Sequence, residues 1–508
     1  MKVRPALVAK VKRYLLSRPP NHPARRAHRI LRQFPLISFL WRQVLDARST
    51  NFFTLTSYIK AGGHFAPSAA VGASPAVQRP LPTLPFEWRF IGDVMAAAVA
   101  HERDYVPSPN SIVLVNCSAA AGGAERQVVK TLIGLKQRKF EPTFIGEFIE
   151  DRGTPLDFYL PHLKEAGIKF ERAQDGPLPS TDLYADVTEP VARFLSQFEP
   201  DQITRILGMV AQLRRIKPEV VHLWQDQTSV LHGISAMIAR VPRILLSGRN
   251  LNPTHFDYFQ PWLHPGYLAL AQQEHVIFSN NSAEGAQSYE DWLGLERGRI
   301  AVILNGVDIP AQESLAILDR SKSEYLPAGY QTLVCGAFRM SREKRPFLWL
   351  DVAKAFADRR PDCYFVVAGD GALMADVQAY ARNLGLAERI QFLGEIQTVH
   401  TLQRCADVLL LTSEQEGTPN VLLEAQAHGT PVVTSQVGGA RACVLEGKTG
   451  YVIASDDPSD FAHALEAALQ LGKADDEHDP IRGFVAGKFG IDRMVEETIH
   501  LYRHADIC

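Results

Sequence analysis

DVLLLTSEQEGTPNVLLEAQAHGTPVVTSQ, residues Asp407–Gln436, reads as strand, loop, helix and strand in succession. The leading run is apolar without alternation, the pattern of a strand covered on both faces and hence of a parallel sheet. Thr418 suits a helix N-cap and Pro419 the first helical position; Gly429, just before Pro431, suits the stop. Two acids lie inside the unit: Glu416 on the loop just outside the helix start, and Glu424 between one and two turns into the helix. The free N–H groups around Thr418 to Val421 then face the same crevice as both carboxylates. Carboxylates do not bind phosphate, but each accepts hydrogen bonds from a vicinal diol. A ligand with sugar hydroxyls at both ends and phosphates between them satisfies all three features, and that is a nucleotide sugar. The alternative is that both acids merely complement the helix dipole.

The same alternation extends along most of the chain. SIVLVN (111–116), PTFIGEF, EVVHLW (219–224), RILLSGR (243–249), HVIFSN (275–280) and IAVILNG (300–306) read as one series of strands. TLVCGAF, YFVVAG (364–369), IQFLG (390–394), DVLLLTS (407–413), PVVTSQ (431–436) and YVIA (451–454) read as a second. Amphipathic stretches such as AERQVVKTLIGLKQRKF separate them, while residues 150–215 are read as helical. Two such series predict an α/β protein of two doubly wound, Rossmann-like domains, each a parallel sheet with helices on both faces. In such sheets ligands bind outside the carboxyl ends of the strands, which directs attention to the loops there.

Two of those loops suit a phosphate. Gly122 and Gly123, in SAAAGGAER, stand between a strand and a helix, where glycine lets backbone N–H groups approach an anion. The loop is not GxGxxG and lacks the Lys-Ser/Thr of a P-loop; a plain strand–helix turn is the alternative. Arg339 and Lys344 are five apart in FRMSREK, a fork and a point charge for the two charges of a diphosphate, or else a solvated basic loop.

Composition narrows the class. The 508 residues are 46% hydrophobic and 22% charged, as in soluble globular proteins, and no apolar run is long enough to span a bilayer. Six scattered cysteines without a CxxC pair predict free thiols in a reducing cytosol. The net charge of −2 conceals an asymmetry, because residues 1–50 carry three Lys, nine Arg and one acid, leaving the remainder acidic. RRAHRILRQFPLISFLWRQVL (25–45) places Ile30, Phe34, Ile37, Trp41 and Val44 near helical spacing among arginines. It suits an anionic membrane surface, with packing on the first domain as the alternative. Five prolines within 66–85 predict a linker. Nucleic-acid binding is not expected, since the rest of the chain is acidic and no reader motif occurs.

Taken in order, GGAER (122–126), NGVD (305–308), FRMSREK, VAGDG (367–371), FLG (392–394), EGTPNVLLEAQAHGTPVV and VGGA (437–440) resemble the motifs of the retaining glycosyltransferases of family 4, the group 1 transferases with the GT-B fold. The resemblance covers roughly residues 111–505 and is strongest in the second half. It implies two Rossmann-like domains facing a central cleft, plus an N-terminal extension. The expected boundaries are 1–85 for extension and linker, 86–308 for the acceptor domain, 309–484 for the donor domain and 485–508 for a C-terminal helix crossing back.

The resemblance also implies roles. Glu416 contacts the transferred sugar, Glu424 holds the ribose diol, and Arg339 and Lys344 neutralise the leaving diphosphate. Gly122, Gly123, Gly417, Thr418, Pro419 and Asn420 border the donor, with Pro419 offering no N–H. The family often has a histidine near the sugar, which nominates His222 as catalytic; a buried histidine bonded to backbone is the other reading. Arg249 is a further candidate for the cleft wall.

No D-x-D or other metal-ligand spacing occurs, so no metal or other cofactor is expected. The expected activity is metal-independent, retaining transfer from a nucleotide-diphosphate sugar to a saccharide or lipid-linked acceptor. The expected setting is bacterial surface polysaccharide or glycolipid synthesis, in the cytoplasm or on the inner face of the plasma membrane. Rival readings are an epimerase or phosphorylase of the same fold, and a non-catalytic nucleotide-sugar-binding subunit.

Overall fold

Strands that are apolar on both faces need a helical layer on each side, and both series receive one in the computed structural model. It describes residues 105–173, 198, 200–256, 259–310, 322–396, 398–471 and 479–504. The basic segment at 25–45 and the proline-rich stretch at 66–85 lie outside the described residues.

The first sheet contains β1 (Ser111–Asn116), β2 (Glu141–Gly146), β3 (Lys169–Arg172), β4 (Val220–Trp224), β5 (Arg243–Gly248), β6 (Val276–Asn280) and β7 (Ile300–Val302). They are parallel and ordered β3-β2-β1-β4-β5-β6-β7, with Val113 of β1 between Thr143 and Val221. The intervening helices are α1 (Gly123–Gln137), α2 (Leu160–Glu165), α3 (Pro200–Ile216), α4 (Asp226–Ala239), α5 (Leu263–Ala271) and α6 (Ala283–Leu293). The region read as helical, 150–215, contains a strand as well. β3 is a short, half-exposed edge strand of sequence KFER, so it carries no apolar run to betray it.

The second sheet contains β8 (Thr332–Ala337), β9 (Cys363–Ala368), β10 (Ile390–Gly394), β11 (Val408–Leu411), β12 (Val432–Ser435) and β13 (Gly450–Ile453), parallel and ordered β10-β9-β8-β11-β12-β13. Its helices are α7 (Pro346–Arg359), α8 (Met374–Asn383), α9 (Val399–Cys405), α10 (Asn420–Ala427) and α11 (Pro458–Leu469). Both sheets thus reverse direction beside their first strand, between β1 and β4 and between β8 and β11.

Two further helices close the chain, α12 (Pro480–Phe489) and α13 (Ile491–Arg503). Val485 and Phe489 of α12 join the core of the second sheet. The buried residues of α13, Met494, Val495, Thr498, Ile499, Leu501 and Tyr502, recur at helical spacing, and five of the six are apolar members of the core beneath α1 and β1. Contact with α1 is close: a Cβ on Gly134 would stand 2.4 Å from a Val495 methyl. The adjoining segment is tied to the linker, where the Val307 N–H donates to the Phe489 carbonyl at 2.8 Å. Consequently the ends of both domains are held together behind the cleft. Among the described residues, no helix is long and apolar enough to cross a membrane.

Candidate active site

The two points of strand reversal face one cleft of about 1230 Å³. From the first sheet come the loop and helix start around Gly122–Arg126 with Arg249 and Asn305; from the second come Arg339, Lys344 and residues 416–421 with Glu424. Every residue nominated from the sequence lines this cleft except His222.

The second-domain wall is built by two loops that brace each other. Arg345, in a left-handed conformation at φ 47°, donates through Nε to the Thr412 carbonyl at 2.7 Å, and the Glu414 N–H donates to the Glu343 carbonyl at 2.8 Å. This sets Lys344 Nζ 2.5 Å from Glu416 Oε1, an oxygen that also accepts from Ser413 Oγ at 2.7 Å. Glu416 is only 9% exposed. Its place depends on the following glycine turn, because a Cβ on Gly438, at φ +44°, would meet the Glu416 carbonyl oxygen at 1.8 Å. Arg339 is exposed on the cleft and enters no ion pair among the described residues.

The helix start differs by one residue from the expectation. Pro419 is the N-cap and α10 begins at Asn420, while the Thr418 hydroxyl donates to the Asn281 carbonyl instead of capping. First-domain side chains complete this helix start. Asn305 Nδ2 donates to the Thr418 carbonyl at 3.0 Å and to Asn420 Oδ1 at 2.7 Å, and Asn420 Nδ2 donates to the Gly123 carbonyl at 3.1 Å. Gly417 permits close approach, since a Cβ there would stand 2.5 Å from the Arg249 carbonyl oxygen.

Glu424 makes a cross-domain ion pair with Arg126, which is steadied by donation from its Nε to Tyr159 Oη at 3.0 Å. Burial pushes the Glu424 carboxyl upward, but Arg126 and then Lys130 outweigh it and hold the group below the ordinary carboxylate range. Arg126, by the same pairing with Glu424, is held above its usual value.

On the first-domain wall, α1 has no side-chain cap at Gly122. Glu125, in its first turn, instead reaches Gln225 Nε2 at 3.1 Å and Asn116 Nδ2 at 3.4 Å. Gln225 adopts φ 68° and ψ 159°, a region that non-glycine residues rarely enter, at the turn from β4 into α4. Such strain costs of order 1–3 kcal/mol and clusters at functional sites. Among the described residues no group of three metal-ligating side chains occurs.

His222, nominated as catalytic, does not line the cleft. It lies inside β4, opposite Leu245 of β5, and is 2% exposed. Both ring nitrogens are engaged, Nδ1 with Tyr502 Oη at 2.8 Å and Nε2 with Ser247 Oγ at 2.7 Å. Burial, and secondarily the charge of Arg249, hold it well below the usual histidine value, so it is neutral. The strand turns this side chain toward Tyr502 of α13, off the lining of the cleft. Conversely, Arg126, Asn281 and Asn305 were not nominated, nor was Gln127, whose Nε2 donates to Asn420 Oδ1 at 3.1 Å, though Arg126 and Asn305 lie inside the quoted GGAER and NGVD segments.

Residues 320–480 match the family described as "Glycosyl transferases group 1". The chain is similar to the Vi polysaccharide biosynthesis protein VipC/TviE of Salmonella typhi, 33% identical over 385 residues, covering 72% of this chain and 66% of that one. The chain belongs to the group 1 glycosyl transferases. Another relative, the UDP-Gal:alpha-D-GlcNAc-diphosphoundecaprenol alpha-1,3-galactosyltransferase of Escherichia coli, is 25% identical over 58% of this chain and 78% of its own. Among solved structures, Anabaena Alr3699/HepE in complex with UDP superposes with a TM-score of 0.59, covering 77% of this group 1 transferase and 99% of that chain at 18% identity. That likeness establishes the fold, which is GT-B.

Proposed function

We propose that this group 1 transferase moves a sugar from a nucleotide-diphosphate donor to a saccharide or lipid-linked acceptor, with retention at the anomeric carbon and without a metal ion. The observation that carries the reading is the convergence of Arg339, Lys344, Glu416 and the start of α10 on one cleft wall, with Glu424 one turn deeper. The names of the relatives, a polysaccharide biosynthesis protein and a galactosyltransferase using a diphosphate-linked lipid acceptor, support surface polysaccharide or glycolipid synthesis as the setting.

The chemistry follows from charge. Breaking the anomeric C–O bond leaves positive charge on the sugar and negative charge on the diphosphate. Arg339, exposed and unpaired, and Lys344 stand where that negative charge develops, and fixed charges of this kind stabilise a transition state without reorganising. The Lys344–Glu416 pair exchanges partners on donor binding: the diphosphate takes the ammonium, and the freed carboxylate takes sugar hydroxyls. At the other end the ribose diol replaces Arg126 on Glu424. Attack from the face the leaving group vacates retains configuration, with a departing phosphate oxygen accepting the acceptor's proton, so no protein nucleophile is required.

The test is transfer of labelled sugar to a membrane lipid extract in the presence of excess EDTA, with the donor base chosen by thermal shift of UDP-, GDP- and ADP-sugars. Turnover unaffected by EDTA is expected; a strict Mg²⁺ or Mn²⁺ requirement overturns the leaving-group account. Sugar release or epimerisation without an acceptor favours the rival enzyme readings, and donor binding with no turnover favours a binding subunit. Attachment to an anionic membrane through residues 1–50, which carry +11, belongs to the same proposal. The full chain is expected to bind anionic vesicles at low salt and a chain starting at residue 86 to lose that binding.

A further inference from the structure

Some half-buried arginines of this protein meet a carboxylate, as Arg126 meets Glu424, Arg205 meets Glu147 and Arg360 meets Asp362, and others, such as Arg243 and Arg482, end on backbone carbonyls. Arg249 follows the end of β5, lines the cleft, and has no acidic oxygen within 4 Å among the described residues. Its guanidinium lies over the Trp224 ring, 4.1 Å from the centroid, and its Nη2 donates to Asn305 Oδ1. The Nε is enclosed and without a partner. Of the five N–H donors of a guanidinium, one is therefore accounted for.

A charge withdrawn from water without a counter-charge is costly, and here burial lowers the group to about 9, against a weaker opposing pull from Glu125. The arrangement is nevertheless rigid: a stacked ring below, an amide oxygen at one edge, and the main chain of the same residue against Gly417. A planar fork held this way, with donors unspent, matches the geometry of an oxyanion. The diphosphate already has Arg339 and Lys344 on the opposite wall, in the reading proposed above, on which this inference rests.

We infer that Arg249 is an oxyanion-binding position on the first-domain wall of the cleft, taking a phosphate or carboxylate carried by the acceptor and separate from the diphosphate clamp. An acceptor so held is oriented at the first-domain side of the cleft, beside Glu125 and facing the Glu416 end of the donor. The role is one of substrate positioning; the bond-breaking step does not pass through this residue.

The experiment uses the full chain saturated with whichever of UDP, GDP or ADP it binds, so that the clamp is occupied. Inorganic phosphate and glucuronate are then titrated at constant ionic strength while the melting temperature is followed. In wild type one of the two is expected to raise the melting temperature with saturation, phosphate indicating a phosphorylated acceptor and glucuronate an acidic saccharide. Arg249→Gln is expected to abolish that rise while leaving nucleotide affinity within about threefold, and Arg249→Lys to retain part of it. The inference is overturned if neither anion acts on wild type, or if Arg249→Gln responds as wild type does. A tenfold or greater loss of nucleotide affinity in Arg249→Gln also overturns it, by making Arg249 part of the clamp. Should Arg249→Gln fail to fold, the response of Arg249→Lys decides by the same criteria. If wild type binds no nucleotide at all, the nucleotide-sugar reading fails instead, and the anion titrations of the unloaded protein still test Arg249.

Discussion

The two walls of the cleft are built from the same unit, a parallel strand running into a loop and a helix, yet they do different work. The second-domain wall takes its charged groups from two short segments, 339–344 and 413–424, braced against each other by Arg345 and Glu414. The first-domain wall gathers Glu125, Arg249 and Asn305 from three strand ends spread over about 180 residues of chain, with His162 also lining it, while His222 is sealed inside the sheet. One wall presents the Lys344–Glu416 pair, which in the proposed mechanism a donor exchanges; the other presents side chains such as Asn305 that hold the helix start of its neighbour. The comparison teaches that a strand's end and a strand's interior belong to different environments: His222, paired with Leu245, is core, whereas Arg249, just past the end of β5, stands in the cleft.

Substitutions test this division. The largest effect is expected from Glu416→Ala, which removes the carboxylate proposed to contact the transferred sugar: kcat should fall by about 10²-fold or more, roughly 2.7 kcal/mol. Glu424→Ala should act on donor KM, with a loss of about 1.5–3 kcal/mol for a charge-assisted hydrogen bond. Steady-state kinetics with donor varied separates the two, and the division of roles is lost if Glu416→Ala alters only KM while Glu424→Ala abolishes kcat.

On the first-domain wall, His222→Phe should leave kcat and KM near wild type, because the ring does not reach the cleft. Stability should fall by about 1–3 kcal/mol as Tyr502 Oη loses its partner, read from denaturant unfolding. A large loss of activity at unchanged stability would return His222 to the catalytic set. The smallest effect concerns pH. A histidine held neutral in the fold binds fewer protons there than in the unfolded chain, so its stabilising contribution is present above pH 6.5 and lost as pH falls below it. His232, lowered to about 3 by burial, acts in the same direction. Unfolding free energy should therefore decline from pH 7 to 5, and less steeply in His222→Phe than in wild type.

Much of this was legible in the linear chain. Short, mainly apolar runs announced twelve of the strands, even where a single polar residue such as His222 or Gln391 interrupts them; KFER, a half-exposed edge strand with one apolar residue in four, escaped. The spacing of Arg339 and Lys344, and of Glu416 and Glu424, was informative because each pair sits on one local element whose geometry follows from helix and loop rules. Chain neighbours therefore determined the sheet class and the placing of Arg339, Lys344, Glu416 and Glu424 on one wall of the cleft. Tertiary structure alone decided that Arg126 would meet Glu424, that Asn305 would complete a helix start 113 residues away, and that His222 would face Tyr502 instead of a ligand. Those contacts join residues with no fixed sequence separation. They depend on how two sheets and a returning helix stack, which is set by packing summed over the whole core and by no single segment.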